Sequence, residues 1–592
     1  MTIRTSTLLL AALLALASAS VPLASAAQTL PPPPPPPPPV PVPSAATPSP
    51  QPGSPSPASP SASPSPFATP SSSSPSPGAS ALPQVPIRVD HARVGVVPGA
   101  TVTVGVSGGA GPIAAQASFD GTLVRYDAFA RTLSITGRAF GRGTVTLSDA
   151  AGDTATVTVL VAPPAGVVPA DAIVELAGNV NGQFAAARIR ATIAQAAQLQ
   201  PGATLDVGGV TAGDLRPGQA LEARANVVLR GNDQYVDQTG TTNVHVRVDA
   251  LPQLEPSVLF YSDDPERLGA LDDGVLFRGT IDATRPARAY VYHVSDSANR
   301  RLYLALQPTT SAARVQVLGA VAGPSDAFAY VGHTGTMRYM LERTSQESFI
   351  ASVLPAVPYL MPLGAGAMLP GTLINAIYDL RVLDGAPVNV LVVAASNGVD
   401  PATLLAQPEH STDAHYRRGE FSLANVPPLA LSYTAGAPEP PPFAAGVRYY
   451  ANGQPAFPNL RPGDVATAGQ RAALAGDYGV LRNVSLQFAN PTPSPQNVYL
   501  YEQPGATGGG VTTTIWFTGD AAPTQVRCVS DPSQRYLVKG FGIAPGQTLN
   551  VTGTYMTDGT SFLPLYFGLT ATPPQPPPLN ACGARSGATA TR

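Results

Sequence analysis

VLFRGTIDATRPARAYVYHVSDSANRRLYLALQPTTSAARVQVLGAVAGPSDAFAYVGHTGTMRYM, residues Val275–Met340, is the densest run of strand-forming residues in the chain. Tyr290, Tyr292 and Val294 alternate with Ala289, Val291 and His293. After the polar turn Ser295–Arg300, Leu302, Leu304 and Leu306 alternate with Tyr303 and Ala305. Alternation with period two sends successive side chains to opposite faces of a sheet, so the pair reads as a hairpin with one apolar face. Val315 and Val317 predict a further strand, and Phe328–Val331 another. Pro355–Pro370, rich in Pro, Gly and Met, reads as a loop. Strands resume at Ile377–Val382 and Val388–Ala394, which makes residues 253–436 a central β-sandwich region that ends before the linker Ala437–Pro442.

Downstream, residues 447–572 carry the same kind of pattern. Val484, Leu486 and Phe488 alternate, Asn490–Pro495 turns, and Val498 and Leu500 alternate with Tyr499 and Tyr501. A second sandwich is predicted, followed by a Pro-rich tail at 573–592. Upstream, residues 168–251 read as a small α/β module. Its helix spans Phe184–Leu199, with Phe184, Ile189, Ile193 and Ala196 on one face in an alanine-rich window. Pro98-Gly99, Pro201-Gly202, Pro217-Gly218 and Pro545-Gly546 each precede an alternating run, and Pro462-Gly463 precedes a weaker one. Proline pre-sets φ at the first central position of a turn and glycine accepts φ > 0 at the second, so each pair reverses the chain into a strand.

Residues 85–162 show short alternating strands around Val102–Val106, Leu133–Ile135, Val145–Leu147 and Val157–Val161, the pattern of a sandwich. Within it, GRGTVTLSDAAGDTATVTVLV, Gly141–Val161, resembles the last hairpin of bacterial immunoglobulin-like domains. The resemblance covers this module alone and implies a spacer or adhesive unit with no catalytic residues.

The first 26 residues have the build of an export signal: Arg4, the apolar Leu8–Leu16, and the small-residue site Ala24-Ser25-Ala26. No later segment has the apolar length of a membrane span, so no transmembrane segment is expected after signal cleavage. Residues 27–84 are almost entirely Pro, Ser and Ala, beginning with Pro31–Pro39. Such a composition buries no core, and the segment is expected to be a disordered spacer reaching about 150 Å when fully extended. Charged residues are 12% of the chain and the net charge is −3, which argues against nucleic acid as a partner. Cys528 and Cys582 are the two cysteines. In an exported chain they are expected to form a disulfide, which closes a loop of about 55 residues and contributes about 4 kcal/mol by loop entropy.

Candidates for chemistry concentrate at the entrance to the central region. Asp263, Asp264, Glu266, Asp272 and Asp273 place five carboxylates within eleven residues, enough oxygen for Ca²⁺ but without the spacing of a calcium loop. The competing reading is a solvated acidic linker. His333, Met337, Met340 and His293 offer soft ligands for copper, against a packed, hydrogen-bonded role for His293 on its strand. His410 and His415 read as surface-loop residues. No G-x-S-x-G or H-E-x-x-H motif occurs, and Ser107–Gly111 lacks the lysine of a phosphate loop. Glu342, Glu347, Asp379 and Glu420 stay open as a carboxylate pair for glycoside hydrolysis. Tyr449-Tyr450 and Arg417-Arg418 are candidate lining for a carbohydrate or protein-binding face, against ordinary sheet tyrosines and solvated arginines.

The chain therefore reads as mainly β: tandem β-sandwich modules and one small α/β module after a disordered Pro-rich linker. The function expected is that of an exported, modular bacterial cell-surface protein, extracellular or periplasmic, in a structural, adhesive or ligand-binding role without catalysis or cofactor. Its expected partner is a cell-envelope component, a carbohydrate or a surface protein. The alternative is a secreted polysaccharide-active hydrolase with its site on loops of the central β region, favoured by a pocket that holds two carboxylates. The acidic entrance Asp263–Asp273 is the first place to look for a site.

Overall fold

The computed structural model describes residues 85–578 apart from 298, 451, 468–469 and 506–509. The expected signal peptide, the Pro-rich linker and Cys582 lie outside the described residues. Strands dominate, with two α-helices of three or more turns, α1 (Gly182–Ala196) and α2 (Phe328–Ser345).

Residues 85–162 fold as two four-stranded sheets around a Val, Ile and Leu core, and Gly141–Ser148 and Thr154–Val161 form the antiparallel hairpin. The turn chemistry holds throughout: Gly99, Gly202, Gly218, Gly463 and Gly546 all have φ between 69° and 86°. All five lead into strands, Thr101–Ser107, Thr204–Gly208, Ala220–Arg230, Thr548–Thr557 and the short Val465–Thr467.

The centre of the molecule is a sheet of eleven strands. Its order is Thr204–Gly208, Ala220–Arg230, Gln238–Asp249, Asp171–Ala177, Ser348–Val353, Ala313–Ser325, Thr372–Gly385, Ala287–Ser295, Val258–Ser262 and Arg418–Ser422, with Arg267–Leu268 added against Ala287–Ser295. The four strands of residues 168–251 thus belong to the same sheet as the central region, joined where Ser348, Phe349 and Ile350 face Ala177, Leu176 and Glu175. A second sheet, Gly274–Ile281, Val388–Ser396, Arg300–Pro308 and Tyr359–Met368, lies across a shared apolar core from it. α2 covers the other face.

Three local expectations are corrected. Ala287–Ser295 and Arg300–Pro308 are not a hairpin: the first pairs with Val258–Ser262 and Thr372–Gly385, the second with Tyr359–Met368 and Val388–Ser396. The turn arches across the core, so Ala289 and Val291 meet Leu302 and Leu304 face to face in one cluster. Tyr290 is left on the opposite face, in a different cluster. Alternation specifies which residues share a face, and it is silent on whether two strands bond edge to edge or stack.

Phe328–Val331 is the first turn of α2, not a strand. That helix buries Val331, Gly332, His333, Thr334, Gly335, Thr336, Tyr339, Met340 and Arg343 on nearly all sides, which removes the 3.6-residue pattern that announces an amphipathic helix. Pro355–Pro370 contains the strand Tyr359–Met368, whose Pro362 pairs with Tyr303. It is the outermost strand of its sheet, where a residue without an N–H is tolerated.

The C-terminal sandwich stacks the sheet Leu429–Thr434, Leu481–Ala489, Thr548–Thr557, Val511–Phe517 and Thr524–Val529 on the sheet Phe443–Ala445, Leu565–Thr570, Gln496–Pro504 and Tyr536–Ile543. Leu429–Thr434 lies before the Ala437–Pro442 segment, yet it pairs in parallel with Leu481–Ala489. Tyr261, Tyr290 and Tyr339 of the central region share a cluster with Leu474, Val480 and Met556. The cleft described next opens beside that cluster.

Candidate functional site

Strand alternation brings the site together. On Ala287–Ser295, Tyr290 and Tyr292 point away from the sandwich core, and on Val258–Ser262, Tyr261 points the same way. Tyr261 and Tyr290 stack with centroids 5.1 Å apart at 5°, and Tyr478 continues the stack 6.3 Å from Tyr290. These rings form the floor of a cavity of about 850 Å³, which the loops of the C-terminal sandwich close on the far side.

Asp263 and Glu266, just beyond Val258–Ser262, line one wall together with Arg417. Arg417 Nε and Nη2 donate to the two oxygens of Asp263, each at 3.2 Å, and Nη2 also donates to Glu266 Oε2 at 2.6 Å. Burial pushes the Asp263 carboxyl up to about 7; the Arg417 guanidinium pulls it back, and the neighbouring Glu266 and Asp264 charges push with burial. The two carboxylates hold the Arg417 charge well above the usual arginine range against its own desolvation. Glu266 keeps 42% of its side chain exposed toward solvent, against 13% for Asp263.

Across the cavity, the loop Asp558–Leu563 is stitched down from several directions. Ser561 Oγ donates to Thr512 O at 2.9 Å and accepts from Thr512 N at 3.1 Å, and Phe562 N donates to Gly510 O at 3.2 Å. Tyr478 donates its hydroxyl to Ser561 O. At the base of the loop, Asp558 Oδ2 lies 2.5 Å from His333 Nδ1 and accepts from Thr514 Oγ1 at 3.2 Å. Thr560 is held at φ 78°, a left-handed conformation that a β-branched residue rarely adopts. Its hydroxyl is buried with no hydrogen-bond partner among the described residues, and the residue lines the cavity. Arg448 adds a second guanidinium at the rim, 4.7 Å above the Tyr416 ring.

The five acidic candidates divide. Asp263 and Glu266 reach the cavity, whereas Asp273 accepts from Arg300 Nη2 at 3.0 Å and from Ser396 at 3.0 Å. Asp272 accepts from the Gly269 N–H at 2.7 Å, and Asp264 accepts from Thr412. Among the described residues no three His, Cys, Asp or Glu side chains are grouped to hold a metal ion. The cations at Asp263, Glu266 and Asp273 are the protein's own arginines.

His293 is fully buried between Ser262 Oγ at 3.0 Å and Pro265 O at 2.8 Å, the packed role weighed for it; burial lowers its basicity to about 4. His333, on α2, faces Asp558 instead. His410 lies 3.9 Å from Asp272, and His415 lies 3.1 Å from Asp464. Three of the four carboxylates left open for hydrolysis are separately engaged: Asp379 takes Arg288, Arg343 and the Tyr339 hydroxyl, Glu347 takes Asn181, and Glu420 takes Arg285. Glu342 is half-buried, and its Oε2 has no hydrogen-bond partner among the described residues. Of the paired residues Arg417-Arg418, Arg417 faces the cavity while Arg418 is buried. Cys528 lines the cavity, and the other cysteine of the expected disulfide, Cys582, lies outside the described residues.

Sequence reasoning missed Arg448, Tyr478 and Thr560, which come from segments far from the acidic entrance. The turn-forming pair Asp558-Gly559 was the one local signal; the packing of the Gly559 carbonyl against Gly332 of α2, where a side chain has no room, is a tertiary contact.

No family model matches this chain, and no curated protein matches it. Among solved structures it is similar to the N-terminal Ig1-2 module of the Drosophila receptor protein tyrosine phosphatase DLAR, at 11% identity and a TM-score of 0.13, over 28% of this chain and 100% of the other. It is similar to fibronectin(III)-like modules of Clostridium thermocellum CbhA, at 14% identity and 0.13, over 27% and 94%. A third is the Bacteroides ovatus mixed-linkage glucan utilization locus SGBP-B, at 14% identity and 0.11, over 53% and 74%. Ig-like and fibronectin-III-like β-sandwiches are therefore among its structural neighbours, at an overlap too shallow to carry any argument about the site.

Proposed function

We propose that this is an exported, modular cell-surface protein whose β-sandwiches present a ligand-binding cleft, with no catalysis at that cleft. The observation that supports this most directly is the cavity itself: tyrosine-floored, walled by the Asp263–Arg417–Glu266 cluster, and of the size that small-molecule sites occupy. Both carboxylates bond the same guanidinium nitrogen, an arrangement that holds them in place as acceptors. The residues 85–162 sandwich fits a spacer, and the Pro-rich segment fits a stalk that lifts the cleft away from an envelope layer. Among the described residues no helix is long and apolar enough to cross a membrane.

A hydrolase is the second reading, because the cleft holds two carboxylates and burial brings Asp263 to about 7, the range of a general acid. The two readings separate in one experiment. Purified protein is incubated with cell-envelope polysaccharide, and new reducing ends are measured for the wild type and for Asp263→Asn. The binding reading expects no release from either protein; release by the wild type that disappears in Asp263→Asn would install the hydrolase in its place.

A further inference from the structure

We infer that the ligand of this cleft is a neutral polyhydroxylated ring compound, a saccharide unit; the inference rests on the binding reading above. Charge comes first. Asp263 and Glu266 share Arg417, and Arg448 adds a second guanidinium at the rim, so the two carboxylates of the cavity lining meet two guanidinium charges. A strongly charged ligand has to break this cluster, whereas hydroxyl groups use what it leaves over. A carboxylate bonded through one edge still accepts on its remaining lone pairs, and Glu266 is the more open of the two.

Shape comes next. Tyr292 and Phe328 line the cavity half-buried, and Phe562 lines it 58% exposed. Flat apolar ring faces beside carboxylate and guanidinium edges match a sugar, which presents C–H groups on a face and hydroxyls around its rim. The Tyr261–Tyr290–Tyr478 stack holds the floor rigid behind them.

Thr560 is the third and independent observation. Its left-handed backbone is costly for a β-branched residue, and its buried hydroxyl bonds nothing among the described residues. Neither feature serves the packing of the loop, which is already tied through Ser561 and Phe562. A ligand hydroxyl supplies the missing partner and gives a reason for keeping threonine where glycine is the unstrained choice.

The test is calorimetric titration of residues 27–592 with three sets of probes: neutral hexasaccharides of glucose, xylose and mannose; a uronate hexasaccharide; and a mixed-sequence peptide pool. Binding of a neutral hexasaccharide is expected, weakened about tenfold in Tyr292→Ala through loss of the stacking face. Thr560→Gly is expected to weaken the same binding while its melting temperature stays equal or rises, a combination that a purely structural role for Thr560 does not produce. Neutral-sugar binding left intact by both variants overturns the site. Binding confined to the uronate overturns the neutral character of the ligand, and binding confined to the peptides overturns the saccharide class; loss of either in Tyr292→Ala leaves the cleft standing. Binding of none of the probes overturns both.

Discussion

Glu502 lies fully buried on the Gln496–Pro504 strand, without an arginine or lysine bonded to it among the described residues. Burial pushes its carboxyl up to about 8; the Thr513 hydroxyl pulls it back, and the nearby Asp558 charge pushes with burial. The folded chain therefore keeps a proton that the unfolded chain releases near the ordinary glutamate value of 4.5. The stability this proton supports is complete below about 4.5, declines as pH rises, and is gone once pH passes the folded value near 8. Glu502→Gln keeps the shape without the titration. Denaturant midpoints across pH 4 to 9 should show the variant gaining on the wild type as pH rises and levelling off above 8. A gap that stays constant with pH would remove the argument. Asp263, at about 7, follows the same sign, but its Arg417 partner and partial exposure to the cleft make it the less clean probe.

At the level of elements, α2 shows how tertiary contact reverses a local rule. Alanine is a better helix former than glycine by about 1 kcal/mol, so Gly332→Ala reads as stabilising from the helix alone. In the fold, a Cβ at Gly332 lies 1.7 Å from the Gly559 carbonyl oxygen, and that backbone belongs to the loop that closes the cleft. The expected outcome is a loss of about 1–3 kcal/mol, measured by urea denaturation, because helix and loop must part. A gain in stability would mean that the helix does not press on this loop. The same element explains why its first turn reads as a strand: the exposed strip of α2, Tyr330, Arg338, Leu341 and Thr344, is half apolar while buried positions include His333, Thr334 and Thr336, so Phe328–Val331 lacks the helical pattern. The Ala287–Pro308 segment differs. Its alternation is legible to the residue, and the arch it makes is a choice between pairing and stacking that both strands satisfy equally well in sequence.

For the whole molecule, the eleven-stranded sheet makes residues 168–251 and the central region depend on one another. Asp171–Ala177 supplies the edge that Ser348–Val353 bonds, and Val174, Leu176 and Ile189 lie in the same core cluster as Val315, Val317 and Phe349. A fragment of residues 253–578 should therefore lose cooperative unfolding or aggregate, while 163–578 unfolds in one transition. Size-exclusion chromatography and near-ultraviolet circular dichroism on both fragments decide it. A monomeric 253–578 fragment with native tertiary signals would show the two parts to be independent.

The residues alone determined the β character, the Pro-Gly turns, the sandwich at 85–162 with its closing hairpin, and the acidic entrance where two of the cleft's polar residues sit. These are local properties: φ preferences, period-two alternation and composition act within a few residues. The cleft itself was decided by tertiary structure. Tyr290 and Tyr292 face it because their strand is buried on both sides, and Arg417, Tyr478 and Thr560 reach it from segments more than a hundred residues downstream. Which strand bonds to which, and which loop lands on which helix, depends on long-range packing free energy that no short window of sequence carries.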